Sequence, residues 1–370
     1  MDRNLNNFAR ILVDYSTKVQ EGDQVGIVTS TAAEPLVREL YALTLERGGH
    51  PHVLLDFSDQ DEIFFAHAND DQLDYTPRLH KLAFEQFDVL FKIRAQTNTR
   101  ALTNVDPARQ ARRQKALAPL LQAQIQRGAE NQLRWMSTIF PTPAYAMEAE
   151  MGFEEFQDFV YRACHVDEGT GDPVAYWQSV KVEQQRIIDR IQGHNMVQLR
   201  GPNVDMSLSI SGRVFKNASG ENNMPDGEIY TGPVEDSAEG WVRFTYPAVT
   251  QGRVVEGVEL KFQDGKVVDA KAEKNQDLLL QMLDTDPGAR YLGEFAIGTN
   301  YQIDRAIKNT LFDEKIGGSF HLAVGASYPE TGGRNTSAVH WDMICDIQQD
   351  SEILVDGDMV YRDGQFVFDY

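Results

Sequence analysis

Residues 23–57 read DQVGIVTSTAAEPLVRELYALTLERGGHPHVLLDF, and this stretch decides the fold of the first half of the chain. The β-branched run DQVGIVTS predicts a strand, AAEPLVRELYALTLERGG predicts an amphipathic helix closed by glycines, and HPHVLLDF predicts a second strand. The same alternation continues through LHKLAFEQFDVLFKIRA and up to the strand LRWMSTIF. Because strands separated by helices indicate βαβ units, the sequence predicts an N-terminal α/β domain with a mostly parallel sheet.

The pattern changes near His194. Short strands with turn signals between them follow, such as MVQLRG, VDMSLSIS and VVEGVELKFQDGKVVDAKA, and the chain ends on the Asp-Gly turns of EILVDGDMVYRDGQFVFDY. Asp-Gly turns between apolar runs are typical of hairpins. The segment NQDLLLQMLDTDPGARYLGEF predicts one clear helix. We therefore expect residues 1–190 to form the α/β domain and residues 191–370 to form an α+β domain with a mainly antiparallel sheet.

Composition narrows the functional classes. The chain has 370 residues and a net charge of -21, which argues against nucleic-acid binding because that function needs a basic surface. No apolar run approaches the length of a membrane span, and the N-terminus lacks the pattern of a signal peptide. Two cysteines, Cys164 and Cys345, form no CxxC pair. A cytoplasmic protein without membrane or nucleic-acid partners is the expectation.

Candidate metal-binding and catalytic residues are concentrated in the second half. They are Glu228, Glu294, His321, Tyr328, His340 and Asp342. For each residue alone a structural role is the more common one, since a glutamate beside a turn is usually solvated and a histidine in a strand is usually a hydrogen-bonded core residue. The combination is more informative: His340 and Asp342 are two residues apart, so on a strand they point to the same face.

The types of these side chains favour particular metals. Two histidines with several carboxylates suit Zn, Co or Mn better than Mg or Ca. Five ligands exceed the needs of one tetrahedral zinc ion with a bound water, whereas two divalent ions sharing a carboxylate would use all of them.

The sequence contains no HExxH helix, no G-x-S-x-G elbow, no Walker A loop and no G-x-G-x-x-G after its first strand. The acidic segment SDQDEIFFAHANDDQLD is expected to be a solvated loop.

Several blocks of the sequence resemble the M29 metallo-aminopeptidases. They are RWMSTIFPTPAYAMEAEM, MPDGEIYTGPVEDSAEG, LGEFAIGTN, TLFDEKIGGSFHLAVGASYPETGG and SAVHWDMICDI, which cover the chain in the order of that family. The resemblance implies an N-terminal α/β domain, a C-terminal domain that carries a two-metal site, and a homodimer. It also implies hydrolysis of the N-terminal residue from peptides with a free N-terminus.

Individual residues match the family's motifs. The resemblance implies metal binding by Glu228, Glu294, His321, His340 and Asp342, and catalytic roles for Glu294 and Tyr328. A role for Glu314 is a further hypothesis, because the segment before the first histidine varies within the family. Two alternatives stay open: another metallohydrolase reaction on the same site, such as an amidase or esterase, and a non-catalytic protein that binds a metal or peptide.

Overall fold

A computed structural model describes residues 3–250 and 252–368. Its α-helices are α1 (Arg3–Arg10), α2 (Glu34–Glu46), α3 (Gln60–His67), α4 (Asp70–Leu73), α5 (Arg78–Gln86), α6 (Pro107–Ala129), α7 (Pro143–Glu148), α8 (Phe153–Ala163), α9 (Pro173–Ile191), α10 (Gln276–Leu283) and α11 (Thr310–Asp313). A π-helical segment, Ile11–Ser16, continues α1.

The strands in the first half of the chain are β1 (Gln24–Ser30), β2 (His50–Asp56), β3 (Val89–Arg94) and β4 (Arg134–Ile139). The later strands are β5 (Met196–Gly201), β6 (Val204–Ser209), β7 (Lys216–Ala218), β8 (Asn223–Met224), β9 (Glu228–Thr231), β10 (Glu239–Arg243), β11 (Ala248–Thr250), β12 (Arg253–Val255), β13 (Glu259–Gln263), β14 (Lys266–Lys271), β15 (Leu292–Gly298), β16 (Ser319–Gly325), β17 (His340–Asp346), β18 (Glu352–Val355), β19 (Asp358–Arg362) and β20 (Gln365–Phe366).

A parallel sheet in the order β2-β1-β3-β4-β8 forms the first half of the fold. Its central strands are apolar because helices cover them, and Val25, Ile27 and Phe91 are fully buried. The predicted mostly parallel sheet is confirmed. The short strand β8 was not expected: it comes from the second half of the chain and extends this sheet beside β4.

The acidic segment after β2 is largely exposed, as expected, but the expectation that it forms a loop was wrong. It forms the helices α3 and α4. Asn69 begins α4 with a capping box, in which its side chain accepts from the Gln72 amide and the Gln72 side chain accepts from the Asn69 amide. Asp61 and Glu62 lie in the first turn of α3, where the helix dipole favours negative charge. The capping box thus accounts for the start of α4, whereas α3 begins without a side-chain cap.

The second half is mainly antiparallel, as predicted, but it contains two large sheets rather than one. The first has the order β14-β13-β10-β6-β5-β18-β19-β20, and the second, called here the site sheet, has the order β17-β16-β15-β9-β7. A small hairpin pairs β11 with β12. One apolar core contains side chains of both large sheets, such as Leu199 and Val242 from the first and Phe295 and Leu322 from the second.

The chain forms two compact units. One runs to Trp177 and includes Gly220–Pro225, and the other comprises Gln178–Ser219 and the chain from Asp226 onward. The sequence predicted a division between residues 190 and 191. In the structure the C-terminal part of α9, from Gln178, belongs to the second unit, and the segment that contains β8 belongs to the first unit. As a statement about domains, that division stays a prediction. Within the described ranges, no helix has the length and apolar character that crossing a membrane requires.

Candidate metal centre

Five of the candidate residues lie on four strands of the site sheet. From one edge inward, β17 carries His340 and Asp342, β16 carries His321, β15 carries Glu294 and β9 carries Glu228. All of them belong to the second compact unit. Strand pairing thus brings together residues from four separate segments of the sequence.

The pairing register directs these side chains to one face of the site sheet. Ala323 in β16 pairs with Asp342 on one side and with Glu294 on the other. Directly opposed residues of antiparallel strands face the same side. His321 lies two residues before Ala323, and His340 lies two residues before Asp342, so both imidazoles face that side as well.

Small residues occupy several positions of this face next to the candidate ligands. Glu228 pairs with Gly298, where an added Cβ would lie 2.2 Å from the Ile316 carbonyl oxygen. His321 pairs with Ala296 in β15. The opposite face carries large apolar side chains of the core, including Phe295, Ile297, Phe320, Leu322, Trp341 and Met343. The sheet therefore separates a polar face, closely approached by the Lys315–Ile316 backbone at Gly298, from a packed apolar face.

Glu294 lies at the centre of the polar face. Its Oε1 is 3.7 Å from His321 Nε2, and its Oε2 is 3.3 Å from His340 Nε2. Glu228 Oε2 is 3.5 Å from His321 Nε2, and Asp342 Oδ1 is 3.5 Å from His340 Nε2. Two groups of ligand atoms, each within 4.8 Å, share Glu294. We call them the inner triad (Glu228, Glu294, His321) and the outer triad (Glu294, His340, Asp342).

Backbone carbonyls orient both imidazoles. His321 Nδ1 is 3.0 Å from the Glu314 carbonyl oxygen, and His340 Nδ1 is 2.8 Å from the Ala326 carbonyl oxygen. Because a carbonyl oxygen only accepts hydrogen bonds, each Nδ1 carries a hydrogen and donates it. In the neutral tautomer the Nε2 lone pair then faces the carboxylates, which is the arrangement found in metal-binding histidines.

The five side chains fit divalent metal ions. His321, Glu294 and Glu228 are almost fully buried, with 1%, 4% and 6% of their surface exposed. Glu228 Oε2 and Asp342 Oδ1 are buried and accept no hydrogen bond from any described residue. Buried carboxylate oxygens that accept no hydrogen bond are costly. A cation between them would remove that cost, and two nitrogen with three carboxylate donors match the preferences of Zn, Co and Mn.

The electrostatics of the cluster agree with a cation site. Burial alone would lower the pKa of His321 and His340, but the carboxylates around them outweigh burial and raise these values to about 9 and about 12. Burial raises the pKa of Glu228 to about 7, despite the opposing charge of Lys315. Burial acts in the same direction on Glu294, yet His321 and His340 hold its pKa below the ordinary range. The carboxylates thus attract positive charge to the face.

Two tyrosines border the cluster. The Tyr328 ring lies 5.1 Å from the His340 ring and 5.5 Å from the Tyr230 ring, edge to face in both cases. Burial, followed by the charges of Glu294 and Asp342, raises the pKa of Tyr328 well above its usual value, although 41% of the residue is exposed. The phenol therefore keeps its hydrogen at neutral pH and is a hydrogen-bond donor.

Sequence reasoning missed two residues of this face, Lys315 and Tyr230. Lys315 follows Glu314 in the segment EKIGGSF and is 1% exposed, which is unusual for a lysine. Its only sequence signal is its place in an apolar, glycine-rich segment beside an acidic residue. Tyr230 lies two residues after Glu228 on β9, so the period of a strand was a usable signal. Glu314, a hypothesis from the sequence, forms a third group of ligand atoms with His321 and Asp342.

Comparison with known proteins identifies a matching protein family. The family model described as thermophilic metalloprotease (M29) matches residues 1–366. Aminopeptidase 2 of Geobacillus stearothermophilus is 29% identical over 100% of this chain and 98% of its own length. Aminopeptidase T of Thermus thermophilus is 25% identical over 98% of this chain and 96% of its own.

Solved structures share the fold. Wild-type AmpT from Thermus thermophilus superposes with a TM-score of 0.85 at 24% identity and covers 99% of both chains. A 2,5-dihydroxypyridine dioxygenase from Pseudomonas putida has a TM-score of 0.59 at 14% identity and covers 98% of this chain and 96% of its own. Since the fold also occurs in a protein described as a dioxygenase, the activity has to be argued from the site.

Proposed function

Since the chain belongs to the thermophilic metalloprotease (M29) family, we propose that it is a metallo-aminopeptidase that removes the N-terminal residue from peptides. The observation that carries the proposal is the shared carboxylate of Glu294 between the two triads. A face with one such carboxylate between two imidazoles suits a pair of divalent ions better than a single ion. The names of the curated relatives point to the same substrate class.

Two divalent ions, Zn, Co or Mn, are the proposed cofactors. The inner triad would hold one and the outer triad the other, with Glu294 common to both. Bound ions of this kind lower the pKa of a coordinated water and polarise a carbonyl group. The backbone bonds of His321 and His340 to Glu314 and Ala326 keep both Nε2 atoms directed at the ions.

A carboxylate of the chain moves the proton during hydrolysis. Water adds to the scissile carbonyl carbon, the C–N bond breaks, and the proton released by water goes to the leaving amine. Glu314 suits this role because burial raises its pKa and because its ligand atom lies near those of His321 and Asp342. Glu294, whose pKa is lowered, suits the role of a permanently charged shared ligand.

Tyr328 and the acidic surroundings position the substrate. The Tyr328 ring lies beside the His340 ring, and its hydroxyl, which keeps its hydrogen, would donate to the developing oxyanion. The positive charge of a free N-terminus is attracted to the excess of carboxylates on this face. This attraction supports an aminopeptidase over a peptidase that cleaves within chains, because only the former has a cationic group at the cleavage site.

Hydrolysis of aminoacyl-p-nitroanilides tests the proposal. We expect cleavage that a chelator stops, that Zn, Co or Mn restores, and that N-acetylated substrates do not undergo. Equal cleavage of N-acetylated amides or of esters would instead support the amidase or esterase alternative. Failure to cleave any substrate with any of the three metals would support the non-catalytic binding protein.

The family resemblance also supports a homodimer, and the lack of a cysteine framework supports a cytoplasmic location. Both cysteines are free and buried, so they do not link two chains by a disulfide. Multi-angle light scattering of the purified chain tests the assembly directly: a mass near twice the 41.7 kDa of one chain is expected. A monomer at micromolar concentration contradicts this part of the proposal.

A further inference from the structure

Lys315 is a buried cation in contact with the candidate metal ligands. Its Nζ donates to Glu228 Oε1 and, at 2.6 Å, to Glu314 Oε1, and it lies 3.8 Å from Asp226 Oδ1. Only 1% of the Lys315 side chain is exposed. A lysine is almost never fully buried unless it is paired, and here it has three carboxylate neighbours.

Lys315 supplies fixed positive charge to a strongly acidic cluster. The carboxylates of the cluster are those of Asp226, Glu228, Glu294, Glu314 and Asp342. Five carboxylates exceed the charge of two divalent ions by one, and the ammonium group supplies the remaining positive charge. The lysine is therefore part of the charge balance of the site, and not only of its packing.

The positive charge is not shared equally between the two triads. Lys315 Nζ donates a hydrogen bond to Glu228 Oε1, and Glu228 Oε2 lies 3.5 Å from His321 Nε2. One ligand of the inner triad, Glu228, is therefore already paired with an ammonium group. In the outer triad the ion-pair partner of Asp342 is His340, at 3.5 Å, and His340 also faces Glu294 at 3.3 Å. An ion in the inner triad would share Glu228 with a fixed ammonium group, whereas among the described residues no lysine or arginine contacts a ligand of the outer triad.

We propose that Lys315 makes the two metal positions unequal, so that the outer triad binds its ion tightly and the inner triad binds its ion more weakly. This inference rests on the proposed function, because it assigns one ion to each triad. The physical cause is repulsion between the ammonium group and a divalent ion that would both bind the same carboxylate. This repulsion is strong because charges in a buried site are poorly screened.

Titration of the chelator-treated protein with Mn²⁺ tests the inference without any substrate. We expect the wild-type protein to bind two ions whose dissociation constants differ at least about tenfold, a difference of about 1.4 kcal/mol. In Lys315→Met, which has a side chain of similar length without charge, the weaker dissociation constant should fall at least tenfold while the tighter one stays within about threefold. Lys315→Arg, which keeps the charge, should retain two unequal constants.

Lys261→Met is the matched control, because Lys261 is an exposed lysine on β13 of the other large sheet. It should leave both constants unchanged. Two equal constants in the wild-type protein, or a Lys315→Met protein whose weaker constant does not fall, would overturn the inference.

Electron paramagnetic resonance of the wild-type protein gives a second test that needs no variant to fold. At one equivalent of Mn²⁺, unequal positions fill in sequence and give the signal of an isolated ion, whereas a spin-coupled pair at that ratio contradicts the inference. Failure of the proposed function is a separate result: a protein that binds no metal disproves the metal-dependent function, whereas equal binding of two ions disproves only the role of Lys315.

Discussion

The parallel sheet of the first unit and the site sheet of the second unit each have a lysine close to them, and the two lysines differ in their surroundings. Lys92 on β3 donates to Gln124 Oε1 at 2.9 Å, and burial, followed by the charge of Arg94, lowers its pKa to about 8. For Lys315, burial acts in the same direction, but Glu228, Glu314 and Asp226 outweigh it and raise the pKa well above the ordinary value.

This difference shows where buried carboxylates meet a buried lysine. Lys92 contacts an amide and lies near a cation, whereas Lys315 contacts carboxylates. Burial of several carboxylates is costly without a compensating cation, so the site sheet is where a cationic ligand is expected.

Glu294→Gln should have the largest effect. Replacing the carboxylate shared by both triads with an amide removes a charge that faces both imidazoles, so hydrolysis should fall on the order of 10³-fold, about 4 kcal/mol of transition-state stabilisation. The measurement is kcat/KM on a leucyl-p-nitroanilide at saturating metal. Glu85→Gln, on the surface helix α5 of the first unit, should stay within about threefold. Activity of the Glu294 variant within that same range would remove Glu294 from the catalytic residues.

His340→Ala should have the next largest effect, on metal binding. Loss of one imidazole from the outer triad should weaken the tighter metal dissociation constant by about 10²-fold or more, since even outer hydrogen-bond partners of metal ligands are worth ~10–100-fold. Equilibrium dialysis followed by elemental analysis measures this effect. His52→Ala, an exposed histidine of β2 in the parallel sheet, should keep the wild-type metal content. Unchanged binding in the His340 variant would remove that residue from the ligands.

Lys92→Met should have the smallest effect, and its sign depends on pH. The folded protein binds the Lys92 proton with a pKa of about 8 against the ordinary 10.5, so burial of the charged form costs stability below pH 8. Between these values the unfolded chain binds more protons than the folded one, and the free energy of unfolding of the wild-type protein rises with pH. The variant should therefore be more stable near pH 7 by about 2 kcal/mol, and this advantage should shrink toward pH 10.

Urea unfolding at the two pH values measures this change, with Lys261→Met as the exposed control. A pH-independent difference between the Lys92 variant and the wild-type protein would contradict the assignment of a lowered pKa.

The sequence contained enough information for the classes of the two sheets. Val25, Ile27 and Phe91 lie in short apolar runs separated by helical patterns, and local periodicity of this kind reflects burial on both faces of a parallel sheet. Hairpin turns such as Asp-Gly are likewise local signals. The short strand β8 gave no such signal, because its two residues are ordered by pairing with β4 from a distant part of the chain.

Family motifs named all five ligands, but residue patterns alone predicted the geometry of the candidate site only where it is local. His340 and Asp342 lie on one strand two residues apart, so their common face followed from the strand period. The approach of Glu228 and Glu294 depends on the register of β9 with β15, which no local pattern specifies. Lys315 is the clearest miss, since its contact with Glu228 joins residues 87 positions apart and depends on the packing of the segment after α11.

Anomalous diffraction from crystals of the metal-loaded protein, collected at the absorption edge of the bound metal, tests the central claim most directly. We expect two strong peaks on the polar face of the site sheet, one within the inner triad and one within the outer triad, with the Glu294 carboxylate between them. When metal is limiting, the outer peak should be the stronger. A single peak, or a metal bound away from Glu294, His321 and His340, would contradict the account.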